Sequence, residues 1–227
     1  MTKMIFLCRR KQGLTVAEYG RRIVENHVPL ALRHHPTMRS YRVNLVEREI
    51  SPPLCPVDSI AELGFESVRD FRENLYDSDE GRRVIEADTA TFLGGADAYA
   101  TTEYLQIPSA QPDVPGGPTG RIKMVALLQR PAGQSLEEFR HLWVEEHMKL
   151  VREHHPGLVK YVANVVEERL SPDALAVDGI SELHFASEES FRTEFYAGEE
   201  SRAIIAADTK RFIGASCAFL VREFCFL

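Results

Sequence analysis

The sequence predicts an α+β fold built from two ferredoxin-like βαββαβ repeats, whose antiparallel sheets pack together within one chain as an intramolecular dimeric α/β barrel. Three observations carry that expectation. Shifting the 227-residue chain by 120 positions aligns it with itself without a gap, and about 39 of the 107 paired positions are identical. Within each copy the hydrophobic period changes in the same order: apolar strand, amphipathic helix, two strands, broken helix, strand. Between the copies, residues 108–120 are rich in Pro and Gly and read as a semi-extended linker. The expected divisions are therefore residues 1–107, the linker at 108–120, and residues 121–227.

Each element has a local cause. Met4–Cys8 and Met124–Leu128 are continuous apolar runs, as expected of a strand covered on both faces. Thr15 and Ser135 each precede a Glu by three residues, the pairing that satisfies free N–H groups at a helix start. That helix is expected to run to His34 or His154, because Pro36 and Pro156 disfavour helix just before them. Tyr41–Glu47 and Tyr161–Glu167, rich in β-branched and aromatic residues, form the second strand. In Ile60–Phe65 and Ile180–Phe185 the apolar Leu and Phe alternate with polar residues, so one face is greasy and the other carries Glu62, or Glu182 with His184. Ser67 and Ser187 cap a broken second helix, and Tyr99–Gln106 and Phe219–Leu227 close each copy. Asp58 and Asp178 read as turn residues, and Asp88 and Asp208 as caps of a short following helix.

Composition limits the function. Apolar residues make up 44% and charged residues 27%, as in ordinary globular proteins. The 27 Lys and Arg face 34 Asp and Glu, a formal charge of −7 that repels polyanions, so no nucleic-acid partner is expected. No stretch approaches the ~20 apolar residues of a membrane span, and the first ten residues lack the charge order of a secretory signal. A cytoplasmic protein without a membrane partner is the expectation. Cys8, Cys55, Cys217 and Cys225 form no CxxC group and read as free thiols.

On the first helix, spacings of three and four place Tyr19, Ile23, His27, Leu30 and His34 on one face, and Phe139, Trp143, His147, Leu150 and His154 on its counterpart. Each face is apolar with two imidazoles embedded in it. A histidine there is often a satisfied core residue, but His147 follows Trp143 by one turn, and only the second copy adds His184 beside Glu182.

The pattern Trp143-x-x-x-His147-x-x-Leu150, Pro156, Tyr161-x-x-Asn164, Asp178-Gly-Ile-x-Glu182-Leu, Phe185-x-Ser187 and Asp208-x-x-x-Phe212 resembles the EthD family of the dimeric α/β-barrel superfamily. Both copies match, apart from Ile23 in place of Trp143 and Ser59 in place of Gly179. The resemblance implies the barrel fold. It implies functions ranging from accessory proteins of ether degradation to dehydratases of fungal polyketide pigments.

A neutral imidazole in an apolar pocket can take a proton from carbon or oxygen and return it elsewhere, which suits elimination, isomerisation or cyclisation. His147, Glu182 and His184 are the catalytic candidates, with Glu182 orienting His184 or acting as an acid if burial raises its pKa. Trp143, His154, Tyr161, Asn164, His27, Tyr41, Asn44 and Glu62 are the binding candidates. Tyr161 and Asn164, three apart on a strand, should face opposite sides of the sheet. His147, Glu182 and His184 also offer a two-His, one-carboxylate metal set with open positions, but no HxH, HxxxH or HExxH supports it, and neither metal nor cofactor is expected. The reading is a cofactor-independent acid/base enzyme acting on a hydrophobic, oxygenated small molecule. The alternatives are a non-catalytic binding or accessory protein and a pseudo-dimer with a filled core. Association of the fused barrel into a homodimer is left open by the sequence.

Overall fold

The computed structural model describes residues 2–227. In the first repeat β1 (Thr2–Arg10) leads into a long helix of three consecutive segments: α1 (Val16–Arg21), a π-helical stretch (Arg22–His27) and α2 (Val28–His34). Then come β2 (Ser40–Glu49), β3 (Ser59–Phe65), α3 (Val68–Glu73), α4 (Asp79–Phe92) and β4 (Leu93–Ile107). After the two-residue β5 (Gly117–Pro118), the second repeat follows the same plan. It consists of β6 (Ile122–Gln129), α5 (Leu136–Arg140), a π-helical stretch (His141–His147), α6 (Met148–His154), β7 (Leu158–Arg169), β8 (Gly179–Phe185), α7 (Glu188–Thr193), α8 (Glu199–Thr209) and β9 (Ala215–Cys225).

The helix starts follow the sequence chemistry. Thr15 Oγ1 accepts from the Glu18 N–H at 3.2 Å while Glu18 Oε2 accepts from the Thr15 N–H at 2.9 Å. The second copy makes only half of this pair, the Glu138 N–H donating to Ser135 Oγ at 3.1 Å. Gly13 and Gly133, at φ +92° and +85°, turn the chain into these helices with a backbone that a Cβ would strain.

Eight strands close into an antiparallel barrel in the order β2-β3-β1-β4-β7-β8-β6-β9, with β9 pairing back to β2 and β5 added beside β9. The two repeats therefore pack as the expected intramolecular dimeric α/β barrel, joined edge to edge along two seams. The reason lies in the last strand of each copy, which is longer than its apolar pattern suggested. β4 pairs with β1 from Leu93 to Thr102 and with β7 from Tyr99 to Ile107. β9 likewise pairs with β6 from Ala215 to Val221 and with β2 from Phe219 to Cys225. Closure leaves the repeats without free strand edges along these seams.

Alternation then divides every strand between two environments. Outward residues such as Leu63, Phe65, Leu183 and Phe185 pack beneath the helices of their own repeat. Inward residues, among them Ile5, Leu7, Tyr99, Val125, Leu127 and Phe219, fill the barrel. Asp58 accepts from the Arg10 N–H at 2.8 Å and Asp178 from the Arg130 N–H at 2.9 Å, so these acids staple a loop to a strand end. All four cysteines are free thiols. Among the described residues no helix is long and apolar enough to cross a membrane.

Candidate active sites between helices and sheet

Each repeat leaves a cavity between its helices and the outer face of its sheet, about 300 Å³ in the first and about 330 Å³ in the second. The second is lined by Trp143, His147, His155 and Tyr161, and the first by Ile23, His27, His35 and Tyr41 at the equivalent positions. Both are walled mostly by apolar side chains.

His147 closes the π-helical stretch, and its Nδ1 lies 2.8 Å from Asp208 Oδ2. His27 does the same with Asp88 Oδ2 at 2.9 Å. Asp88 and Asp208 are therefore not caps of a following helix. They lie in the last turns of α4 and α8, and they face the first helix because these helices cross it. Neither Nε2 has a protein partner among the described residues, so each ring presents a free nitrogen. Burial, outweighing the adjacent carboxylate, holds both imidazoles below their ordinary pKa, and both are neutral at pH 7. Asp208 also accepts from Arg211 Nη1 at 2.9 Å, where the first copy has Thr91. The second dyad thus shares its carboxylate with a cation and the first does not.

The wide π-helical turn also resolves the helix face. With it, steps of four stay aligned: Tyr19, Ile23, His27, Ala31 and His35 face the first cavity, and Trp143, His147, Val151 and His155 the second. Regular α-helical spacing selects His34 and His154 instead. His154 is turned away from the cavity, with Nδ1 3.0 Å from Ser201 Oγ, and His34 pairs with Asp77 at 3.0 Å.

The two departures from the repeat pattern are coupled sterically. A Cβ on Gly179 would fall 2.4 Å from the Trp143 ring and 2.9 Å from Phe139, so a side chain there is incompatible with the indole. In the first copy Ile23 leaves that space, and Tyr19 Oη with Ser59 Oγ fills it at 2.8 Å. One consequence reaches the cavity. The Trp143 Nε1–H donates to Tyr161 Oη at 2.9 Å, whereas the Tyr41 hydroxyl has no partner among the described residues.

The remaining candidates lie on the other side of the sheet. Asn44, Glu62, Asn164, Glu182 and His184 point into the barrel, so the structure does not bring Glu182 or His184 together with His147. Tyr161 and Asn164 do diverge, one to each face. Asn44 Nδ2 donates to Glu62 Oε1 at 2.7 Å and Asn164 Nδ2 to Glu182 Oε1 at 2.8 Å. Lys123 Nζ lies 2.6 Å from Glu62, 2.7 Å from Glu182 and 2.9 Å from Glu223, while Lys3 Nζ lies 2.8 Å from Glu182. Burial alone would raise the Glu182 pKa, but Lys123 and Lys3 hold it well below the carboxylate range, so it is no acid. Nor does it orient His184, whose Nε2 is 3.9 Å away, beyond hydrogen-bond reach. Ligand atoms of Glu182, His184 and Glu223 fall within 4.8 Å of one another, yet the Lys123 ammonium already sits among their carboxylates.

Sequence reasoning missed Asp88, Asp208, His35, His155, Lys3 and Lys123 as site residues. All six left one signal, identity at matching positions of the two repeats: Lys3 with Lys123, His35 with His155 and Asp88 with Asp208.

No curated protein matches the sequence. The fold resembles that of an anthrone oxidase-like protein, at TM-score 0.62 and 11% identity over 99% of this chain and 92% of that one. A candidate monooxygenase from Fusobacterium nucleatum aligns at TM-score 0.61 and 8% identity over 98% and 92%. A mutant chlorite dismutase from Candidatus Nitrospira defluvii aligns at TM-score 0.50 and 11% identity over 97% and 91%. These likenesses share the barrel. The EthD domain profile matches twice, at residues 11–96 and 131–216, once in each repeat, and the chain belongs to the EthD family.

Proposed function

We propose that this EthD-family protein is an acid/base enzyme of the dehydratase, isomerase or cyclase type, working on a hydrophobic oxygenated small molecule through its own side chains. The observation that carries the reading is the buried His147–Asp208 pair, with its free Nε2 at an apolar cavity and a copy of itself at His27–Asp88. Nε2 takes a proton from carbon next to a carbonyl. The C–H electron pair moves toward the carbonyl oxygen to form an enolate, and Asp208 stabilises the resulting imidazolium. Returning that proton to a different carbon is isomerisation, and giving it to a departing hydroxide is dehydration. Trp143 and Phe212 exclude water around the ring.

The native substrate is not needed for a test. In D2O, an enzyme with this dyad exchanges the α-protons of 2-tetralone, followed by proton NMR. Replacing both bases, His27→Gln with His147→Gln, should slow exchange by roughly 10²-fold or more. If the wild type binds the ketone and exchanges it no faster than buffer, the cavities serve binding only and the chain is an accessory protein.

A further inference from the structure

The two histidine–aspartate pairs differ by one cation. Asp208 holds His147 Nδ1 through Oδ2 at 2.8 Å and accepts from Arg211 Nη1 through Oδ1 at 2.9 Å. The same guanidinium donates to Glu146 Oε2 at 2.6 Å, and His141 Nε2 lies 3.1 Å from the other oxygen of that carboxylate. Arg211 holds Glu146 below the usual carboxylate range, so Glu146 stays ionised at mildly acid pH. In the first repeat Thr91 stands where Arg211 does, and its hydroxyl donates to the Asp88 backbone carbonyl at 2.7 Å. Arg22 and Lys11 donate to the Thr91 and Ala90 carbonyl oxygens, at 3.2 and 2.7 Å, and not to the Asp88 carboxylate. Among the described residues that carboxylate pairs with His27 alone.

When His147 gains a proton, Asp208 stabilises the imidazolium across their contact. A guanidinium bonded to the same carboxylate draws part of its charge away and repels the new cation. His27 is protonated beside an undivided carboxylate. The other groups lining the cavities do not cancel this difference. Burial pushes up the pKa of Cys8, Tyr19, Tyr41 and Tyr76 in the first cavity and of Tyr161 and Tyr196 in the second, so all stay neutral. His35 in one cavity is matched by His155 in the other. Lys210, where the first copy has Ala90, lines the second cavity but forms no ion pair with Asp208.

We infer that Arg211 is a positioning residue of the second site: by dividing the charge of Asp208 it makes His147 the weaker base and its imidazolium the readier acid, while His27 is the stronger base. The duplicated sites thus differ in the pH range over which each takes up a proton. The inference rests on the proposed proton transfer for its use in turnover, but the division of charge is readable without turnover.

Site-resolved NMR titration of the imidazoles in the full chain tests it. His147 should titrate below His27. Arg211→Thr should raise the His147 midpoint by about half a pH unit and leave His27 unmoved, a modest size because the guanidinium is 49% exposed and shared with Glu146. Arg211→Lys should keep the His147 midpoint near its original place, and Thr91→Arg should lower that of His27. Lys210→Ala should move His147 by less than half as much as Arg211→Thr. In a His27→Gln background, Arg211→Thr should raise 2-tetralone exchange at neutral pH by about twofold, because the base is stronger, and shift its acid limb upward. A merely structural role would lower that rate. His147 titrating at or above His27, an unmoved His147 in Arg211→Thr, or an equal shift from Lys210→Ala would overturn the inference. Should Arg211→Thr fail to fold, an unmoved His27 in Thr91→Arg overturns it instead. Separated midpoints that respond to Arg211 without any 2-tetralone exchange would sink the proposed function alone.

Discussion

Trp143 and Gly179 illustrate how two substitutions between repeats become one physical event. Gly179 is glycine because the indole occupies the place of its Cβ, and the first copy escapes the constraint by carrying Ile23 and Ser59 together. Gly179→Ser should therefore cost about 1–3 kcal/mol by overpacking, measured by denaturant unfolding. Adding Trp143→Ile should recover part of that loss rather than add to it, and strictly additive effects would contradict the coupling. His147 shows the limit of reading side chains from a pattern. Its place on the apolar face was legible from its spacing to Trp143. Its partner Asp208, 61 positions away, was not, because only the crossing of two helices brings them to 2.8 Å.

Among the elements, the first helix departs furthest from its sequence expectation. Its start, its direction and its apolar face were readable from Thr15, Pro36 and the spacing of Tyr19, Ile23 and His27. The π-helical stretch was not, since nothing in Arg22–His27 or His141–His147 breaks the helical pattern, and that wide turn exchanges His34 and His154 for His35 and His155 at the cavities. The resulting load of buried, neutral imidazoles makes stability depend on pH. In the unfolded chain these rings titrate near 6.5, and His27, His35, His147, His155 and His184 titrate lower when folded. Between the two values the unfolded chain binds more protons, so their contribution is intact above pH 6.5 and is lost as pH falls through that window. Melting temperature should drop on acidification from pH 7 to 5, by roughly 2–4 °C for each kcal/mol lost. A flat profile would contradict the buried, neutral state of the rings.

The whole molecule is a closed barrel because the last strand of each repeat serves two neighbours. The duplication announced the barrel, and the alternation of Glu62 with Leu63 announced its two faces. What remained hidden was the role of the inner polar face, because the partners of Glu182 come from Lys3 in one repeat and Lys123 in the other. That network is a buried seam between the copies. Lys123→Met leaves Glu62, Glu182 and Glu223 with too little compensating charge and should cost about 3–5 kcal/mol in denaturant unfolding. A change below about 1 kcal/mol would show that the network carries no such weight.

The account turns on a neutral imidazole that can accept a proton within each helix–sheet cavity, and the pH profile of 2-tetralone exchange reads that state directly. Exchange should be constant near neutrality and fall on the acid side with an apparent pKa below 6.5, because protonating His27 and His147 removes the base. It should fall by roughly 10²-fold or more in the double glutamine variant. A rate that ignores pH between 4 and 7, or that survives loss of both histidines, would contradict the account.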